Sequence, residues 1–390
     1  MTKLDLHESQ ITQWLASQQG AMLDLLRDAV NTDSGSYDKA GVDAVGQRFI
    51  DFFTAQGLLT TREPHDTFGD AIHIRLDDTR SNEKPVLLMG HRDTVFPKGE
   101  AARRPFRIAD GRAYGPGVCD MKAGLVINAF VLAAFKQFGG APAPLAGLIT
   151  SDEEIASPSS RPIIERVARQ ARCVFNSEPG RPSGAVVTGR KGGVFLKFEV
   201  FGKAAHSGGN FEKGISAIGE LAHKVVAMHA LTDLARGVTV NVGTIKGGQS
   251  VNTTAPHAEG QIDLRYVKPQ DRATALAALQ QIIDRATVPG TTAKLEISGE
   301  FLPLNATPAS EELFATYQAA ATDAGLKIAG EFTGGCADSG FTAAVGCPTL
   351  CATGPVGANA HTPEEYMEVA SFVPRAQALA LAILRLPSPA

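Results

Sequence analysis

The chain has 390 residues, 44% of them hydrophobic and 20% charged, enough for two globular domains with sizeable cores. Its formal charge of −4, without long runs of Lys or Arg, excludes a surface built to neutralise phosphates, so neither nucleic acid nor an anionic membrane is expected as a partner. The five cysteines, Cys119, Cys173, Cys336, Cys347 and Cys351, are odd in number, scattered and never in a C-x-x-C pair, which excludes a disulfide frame and a cysteine metal site and suits a reducing compartment. The opening residues lack the basic start, apolar stretch and cleavage site of a secretory signal. No uninterrupted apolar run reaches the ~18 residues of a spanning helix. A cytoplasmic location is expected.

In chain order, residues 10–30 and 38–57 carry apolar positions at helical spacing, after which short apolar runs alternate with helices, as in an α/β layer. Val86 to Met89 is a continuous apolar run that stops at Gly90 before His91. Leu145 to Thr150 stops before Asp152, Glu153 and Glu154, and Cys173 to Asn176 stops before Glu178. Such runs read as strands buried on both faces, and the edge beyond their C-terminal ends is where open α/β sheets bind ligands. Leu125 to Phe135 is apolar nearly all round, and its length fits a buried helix. From Val194 the pattern changes. A strand near 194–200, a helix near 215–225, strands at 238–245 and 258–267, a helix at 271–286 and a strand at 293–299 give the β-α-β-β-α-β order of a ferredoxin-like unit. Residues 189–301 are therefore read as an insertion. A helix near 310–324, a strand near Thr349 and a helix over 371–385 return to the first domain.

The polar residues at the strand ends carry the chemistry. His91 and Asp93 form an H-x-D pair, Asp120 lies in GPGVCDMK, Glu153 and Glu154 are adjacent, Glu178 precedes a proline, and His361 lies in GANAHTPEE. Singly, each is more often a cap or a solvated loop residue than a ligand. Together, two His and three carboxylates suit a pair of zinc ions about 3.5–4 Å apart, bridged by one carboxylate, each ion keeping an open position. That arrangement belongs to a hydrolase, not to a structural zinc site. The G-x-G-x-x-D string at Gly115–Asp120 is a poor dinucleotide loop, because Asp120 stands where the third glycine is needed.

The order GHRDT, GPGVCDMKAG, SDEE, SEP and HTPEE resembles the aminoacylase and carboxypeptidase family of co-catalytic zinc peptidases, and within it the bacterial glutamate carboxypeptidases of the G type. The resemblance covers nearly the whole chain. It implies an α/β fold: an α/β/α catalytic domain of residues 1–188 and 302–390 with a ferredoxin-like α+β dimerisation, or lid, domain of residues 189–301 inserted. It implies that His91, Asp120 and Glu178 hold one zinc and Asp120, Glu154 and His361 the other, with cobalt and manganese as alternatives. Asp93 would accept a hydrogen bond from the His91 ring. Glu153, left over as a ligand, would be general base and acid, against the plainer reading of a carboxylate at a helix start. In the insert, His206 of GKAAHSGG is implied to reach the partner's active site in a homodimer. Asn252 of GGQSVNTTAP and Arg265 of QIDLRY would hold the substrate's terminal carboxylate, although Asp263, on the same strand face, makes a simple ion pair the competing reading for Arg265. The GGCADSG turn, with Gly334, Gly335 and Asp338, resembles the family's loop beside the site.

The implied activity is hydrolysis of the amide bond in N-acyl amino acids or peptides, with release of a C-terminal amino acid bearing a free carboxylate. A dipeptidase is the nearer alternative, but no spare carboxylate is evident to hold a free amino terminus. A non-catalytic ligand-binding relative is the other, disfavoured by the full set of ligands and base. Where the glutamate enzymes place partners for a second carboxylate, this chain has Ala185, Val187 and Phe301. A neutral or aromatic released residue is therefore expected, with Arg181, Arg190 and Lys191 as a competing source of charge.

Overall fold

A computed structural model describes residues 4–76 and 83–387. The chain divides into two units: one runs to Gly189 and takes in Leu304–Thr333 and the chain from Ala337, and the other comprises Arg190–Pro303 with Gly334–Cys336.

The first unit opens with two helices, Leu6–Ser17 and Gln19–Val30, where the apolar spacing reads as one continuous stretch. Buried Ile11, Leu15, Met22 and Leu26 keep helical phase across the break at Gln18, so periodicity cannot register it. The first helix is fixed at its start by a capping box, Glu8 N–H donating to Asp5 and Asp5 N–H to Glu8. Helix Lys39–Ala55 follows.

An eight-stranded sheet then runs in the spatial order Leu59–Glu63, Ala71–Arg75, Leu145–Thr150, Val86–His91, Cys173–Asn176, Thr349–Cys351, Val186–Arg190, Gly330–Thr333. Its centre is parallel: Val86–His91 pairs with Leu145–Thr150 on one side and Cys173–Asn176 on the other, and Thr349–Cys351 pairs with Cys173–Asn176. All six residues of Val86–His91 are buried, as its apolar run requires. Because these strands share one direction, His91, the 152–154 turn and the Glu178 loop leave the same edge.

Helix Ala123–Gln137 is buried at every residue from Ala123 to Phe135. The longer stretch Val118–Gln137 is long and apolar enough to cross a membrane, but 94% of its apolar window is buried within the protein, which makes it a core helix. Its start is set by Gly124: a Cβ there would lie 1.8 Å from the Ser177 carbonyl oxygen, so only glycine lets this helix approach the loop that carries Glu178. A small sheet places the remaining site loops together. The hairpin of Gly357–Ala358 and Tyr366–Glu368, with His361 between its strands, pairs Tyr366 with Tyr114 and Met367 with Ala113. Strand Arg112–Tyr114 leads directly into the Asp120 loop.

The second unit is a four-stranded antiparallel sheet in the order Thr239–Gly247, His257–Tyr266, Gly192–Phe201, Thr292–Phe301. Helices Ala217–His229 and Pro269–Asp284 connect its strands and cover one face through Val194, Leu196, Phe198, Ile262, Leu264 and Leu279. This is the ferredoxin-like order that the alternation predicts.

Candidate metal centre

Asp120 lies between the two histidines. Its Oδ1 is 3.3 Å from His91 Nε2, and its Oδ2 is 3.3 Å from His361 Nε2. On one side His91 Nε2 also lies 3.8 Å from Glu178 Oε1 and 3.9 Å from Glu153 Oε2; on the other, His361 Nε2 is 3.0 Å from Glu154 Oε2. The structure thus brings together all five expected ligands and Glu153. Glu153 stands at the start of a single 3-10 turn, Glu153–Ile155, so its position is that of a helix-start carboxylate while its side chain faces the cluster.

Asp93 does more than its spacing suggests. His91 Nδ1 lies 3.2 Å from the Asp93 backbone carbonyl and 3.3 Å from its carboxylate, which orients the ring so that Nε2 faces Asp120. The same carboxylate accepts from Ser36 Oγ at 2.7 Å and from the backbone N–H groups of Glu153 and Glu154 at 3.1 Å each. It therefore sets both a histidine and the acidic turn. Between them, Arg92 is fully buried and donates to the carbonyls of Val42, Ile149, Thr150 and Asp70 and to the Asp43 carboxylate, tying the H-x-D loop to the sheet. Asp338, 2% exposed, accepts from Thr150 Oγ1 and Ser157 Oγ. Ala156 and Ser157 have φ of 69° and 54°, a conformation that costs non-glycine residues energy, so the Asp338 contact helps hold the end of the acidic turn.

A residue that sequence reasoning passed over is Glu365. Fully buried, it accepts the N–H groups of Gly117 at 3.1 Å, Cys119 at 2.8 Å and Asp120 at 3.0 Å. One carboxylate thus fastens the loop of His361 to the loop of Asp120. Two adjacent glutamates in HTPEE offer no local signal as to which turns inward.

The electrostatics divide the cluster by role. Burial opposes charge on His91, but Asp120 and Asp93 outweigh it and hold the imidazole well above its ordinary value. Contact with Asp120, then Glu154, raises His361 to about 10. Asp120, against the effect of burial, is held well below the usual carboxylate range by His361 and His91. Glu153 is pushed well above it by burial; His91 opposes the rise, while Glu178, Asp338 and Glu154 add to it. Burial and Asp120 raise Glu154 to about 7. The central carboxylate is thus firmly anionic, while its neighbour readily carries a proton.

The sequence-predicted residues of the insert fall into two places. His206 and Asn252 are neighbours in paired loops: His206 bridges to Thr253, and Ser207 N–H donates to the Asn252 carbonyl at 2.9 Å. The N–H groups of Gly208 and Gly209 donate to His206 Nδ1, leaving Nε2 as the outward nitrogen. Arg265 lies elsewhere on the sheet. Its Nε donates to Asp263 at 2.6 Å, its Nη1 to Cys336 Sγ at 2.7 Å, and its guanidinium carbon is 5.3 Å from the centre of the Phe195 ring. The expected Asp263 pair is present.

Imidazoles and carboxylates converging beside a group able to carry a proton have the chemistry of a metal-dependent hydrolase. Residues 87–385 match the model of peptidase family M20/M25/M40, and the chain belongs to this family, whose enzymes are metal-dependent, usually with zinc. It is 28% identical over 372 residues to carboxypeptidase G2 of Pseudomonas sp. (strain RS-16), covering 93% of this chain and 88% of that protein. A stretch of 217 residues is 33% identical to acetylornithine deacetylase of Pasteurella multocida (strain Pm70), covering 51% of this chain and 54% of that protein. Among solved structures, the M20 family metallo-carboxypeptidase Sso-CP2 from Sulfolobus solfataricus shares the fold with a TM-score of 0.78 at 17% identity, covering 93% of this chain and 99% of that one. The residues present fit a divalent metal. His91 Nε2 is buried without a hydrogen-bond partner although carboxylate oxygens surround it. Ligand atoms of His91, Asp120 and Glu154, and again of His91, Glu153 and Glu178, lie within 4.8 Å of one another.

Proposed function

We propose that the protein hydrolyses the amide bond of N-acyl amino acids or peptides and releases a C-terminal amino acid with a free carboxylate. The observation that carries this reading is Asp120 with one oxygen toward each histidine, and Glu153 beside it. His91, Asp120 and Glu178 would hold one zinc ion and Asp120, Glu154 and His361 the other, with cobalt or manganese suited to the same donors. When bound, the metal pair supplies polarisation of the amide carbonyl and acidification of a water. Glu153 takes a proton from that water as its oxygen bonds to the carbonyl carbon, then delivers the proton to the leaving nitrogen as the C–N bond breaks. Asp93 keeps His91 and the Glu153 turn in place throughout.

Arg265 and Asn252 are proposed to read the terminal carboxylate, and His206 to steady the developing oxyanion. Arg265 pairs with Gly193 and His257 with Phe201, so Arg265 and the Asn252 loop lie at opposite ends of one strand, roughly 26 Å apart at about 3.3 Å per residue. One chain cannot close both on a single carboxylate. That supports a homodimer in which His206 and Asn252 come from the second copy.

The released residue is proposed to be neutral. Of the three positions behind this expectation, Ala185 is buried and Val187 packs with Leu304, Ala337, Cys351 and Ala352, so their apolar character reflects packing. Phe301 is buried as well, 6% exposed, but it meets edge-on, at 6.4 Å, the Phe195 ring over which Arg265 lies, and the preference rests on that apolar pair beside Arg265. Arg190 donates to the Gly335 and Cys336 carbonyls, which directs its charge there.

The test is amino acid release from matched N-acyl amino acids and dipeptides, before and after chelation and zinc restoration. Chelator-sensitive release that is abolished by amidating the terminal carboxylate, with phenylalanine preferred over glutamate, is the expected result. Release from amidated substrates overturns the carboxypeptidase reading, and strong glutamate preference overturns the side-chain reading alone.

A further inference from the structure

Arg265 is gripped on three sides by neighbours within its own unit. Its Nε donates to Asp263, its guanidinium carbon lies over the Phe195 ring, and its Nη1 donates to Cys336 Sγ at 2.7 Å. The first two contacts follow from the sheet. Asp263 and Arg265 share a strand face, and in the antiparallel register Arg265 stands opposite Gly193 and Asp263 opposite Phe195. The third does not follow from it, because Cys336 arrives from a turn 71 residues further along the chain.

The surroundings are shaped to bring that sulfur there. Glycine weakens a strand interior and marks a close approach, and Gly193 is such a place. A Cβ on it would lie 2.8 Å from Cys336 Sγ and 3.3 Å from Arg265 Nη1, so a side chain at 193 would crowd the sulfur and the guanidinium where they meet. From Arg190, 7% exposed, hydrogen bonds run to the carbonyls of Gly335 and Cys336 and fix the backbone that carries the thiol. The segment Gly334–Cys336 accordingly groups with the inserted unit, while the chain on either side of it belongs to the first. The kind of acceptor matters as much as its place. Asp263 already sets one negative charge against the guanidinium, and a second carboxylate at 336 would compete with the substrate for it. A thiol accepts without that charge: burial raises the Cys336 thiol against the opposing pull of Arg265 and Arg190, which keeps it protonated at neutral pH. Among the described residues, Arg265 Nη2 has no hydrogen-bond partner.

Resting on the proposed function, we propose that Cys336 is a positioning residue for Arg265: its uncharged sulfur holds Nη1 so that Nη2 meets the substrate's terminal carboxylate with the guanidinium charge intact. The thiol acts through Arg265 and touches neither the metal cluster nor the scissile bond. Its removal therefore weakens carboxylate binding and leaves the chemical step alone.

The test follows hydrolysis of N-acetylphenylalanine by the metal-loaded wild type, Cys336→Ala, Cys336→Ser and Cys336→Asp, and repeats the alanine substitution in an Arg265→Ala background. In Cys336→Ala, KM is expected to rise about tenfold with kcat within twofold of wild type. Serine, a neutral acceptor, is expected to restore KM, and aspartate to raise it further than alanine does. In the Arg265→Ala background the same substitution should leave kcat/KM within twofold, because the residue it acts through is gone. An unchanged KM in Cys336→Ala, a loss carried by kcat, or an equal loss in the Arg265→Ala background overturns the role of Cys336 while leaving the proposed function intact. Should the wild type cleave no N-acyl amino acid or peptide, the proposed function fails, and calorimetric binding of N-acetylphenylalanine and its C-terminal amide decides the inference. Tighter binding of the acid than of the amide, lost in Cys336→Ala, supports it. An acid affinity that the substitution leaves unchanged, or no binding of the acid at all, overturns it.

Discussion

At the Asp120 loop three backbone donors, from Gly117, Cys119 and Asp120, point at the single buried carboxylate of Glu365. Its Oε1 serves Cys119 and Asp120, and its Oε2 serves Gly117. In Glu365→Gln an amide oxygen can still take the first two, but the amide nitrogen then faces the Gly117 N–H, donor against donor. Metal affinity is expected to fall about 10- to 100-fold with the fold retained, as read by competition with a chromophoric chelator; unchanged affinity would show that Glu365 does not position Asp120. The histidines give a second prediction at this scale. With His361 raised to about 10 and His91 held well above its ordinary value, both carry protons near neutrality in the metal-free chain, and a metal must displace them. Affinity should therefore rise with pH through the neutral range. Calorimetric heats of zinc binding should also vary with the ionisation enthalpy of the buffer, and buffer-independent heats would contradict this account.

Among the elements, the contact of helix Ala123–Gln137 with the Ser177 carbonyl is the tightest constraint on the site. A methyl group at Gly124 would meet backbone, so Gly124→Ala is expected to cost about 3 kcal/mol and to loosen the Glu178 loop. Thermal unfolding of the metal-free variant checks this, and a parent-like Tm would contradict it. The same elements show what was legible in advance. Buried parallel strands write themselves as apolar runs, and the polar residue after each run marks the functional edge, so His91, Glu153, Glu154 and Glu178 could be placed by chain order alone. The four-strand alternation of the insert was equally plain. What escaped has no local signal. The break at Gln18 keeps helical phase on both sides. Arg92 stands between two recognised residues, yet its partners lie on a helix, a loop and a strand distant in sequence. The burial of Val187 depends on Leu304 and Ala337, which only the fold brings beside it.

For the molecule as a whole, the opposite-end placement of Arg265 and the His206–Asn252 loops underlies the proposal that two copies share each active site. Glu153→Gln and His206→Ala, each nearly inactive as a homodimer, are expected to complement after their subunits are exchanged. A mixed dimer has one site bearing both substitutions and one bearing neither, so a statistical mixture should recover roughly a quarter of wild-type activity. Absence of recovery, despite verified exchange, would place His206 in its own chain's site or outside the chemistry. The central claim, amide hydrolysis at this cluster with Glu153 moving the proton, is tested most directly by kcat for Glu153→Gln at matched metal content. Glutamine preserves shape and cannot carry the proton, so kcat is predicted to fall about 10²- to 10⁴-fold while both metals and the substrate KM are retained. A kcat within tenfold of wild type would contradict the assignment of Glu153 and the mechanism built on it.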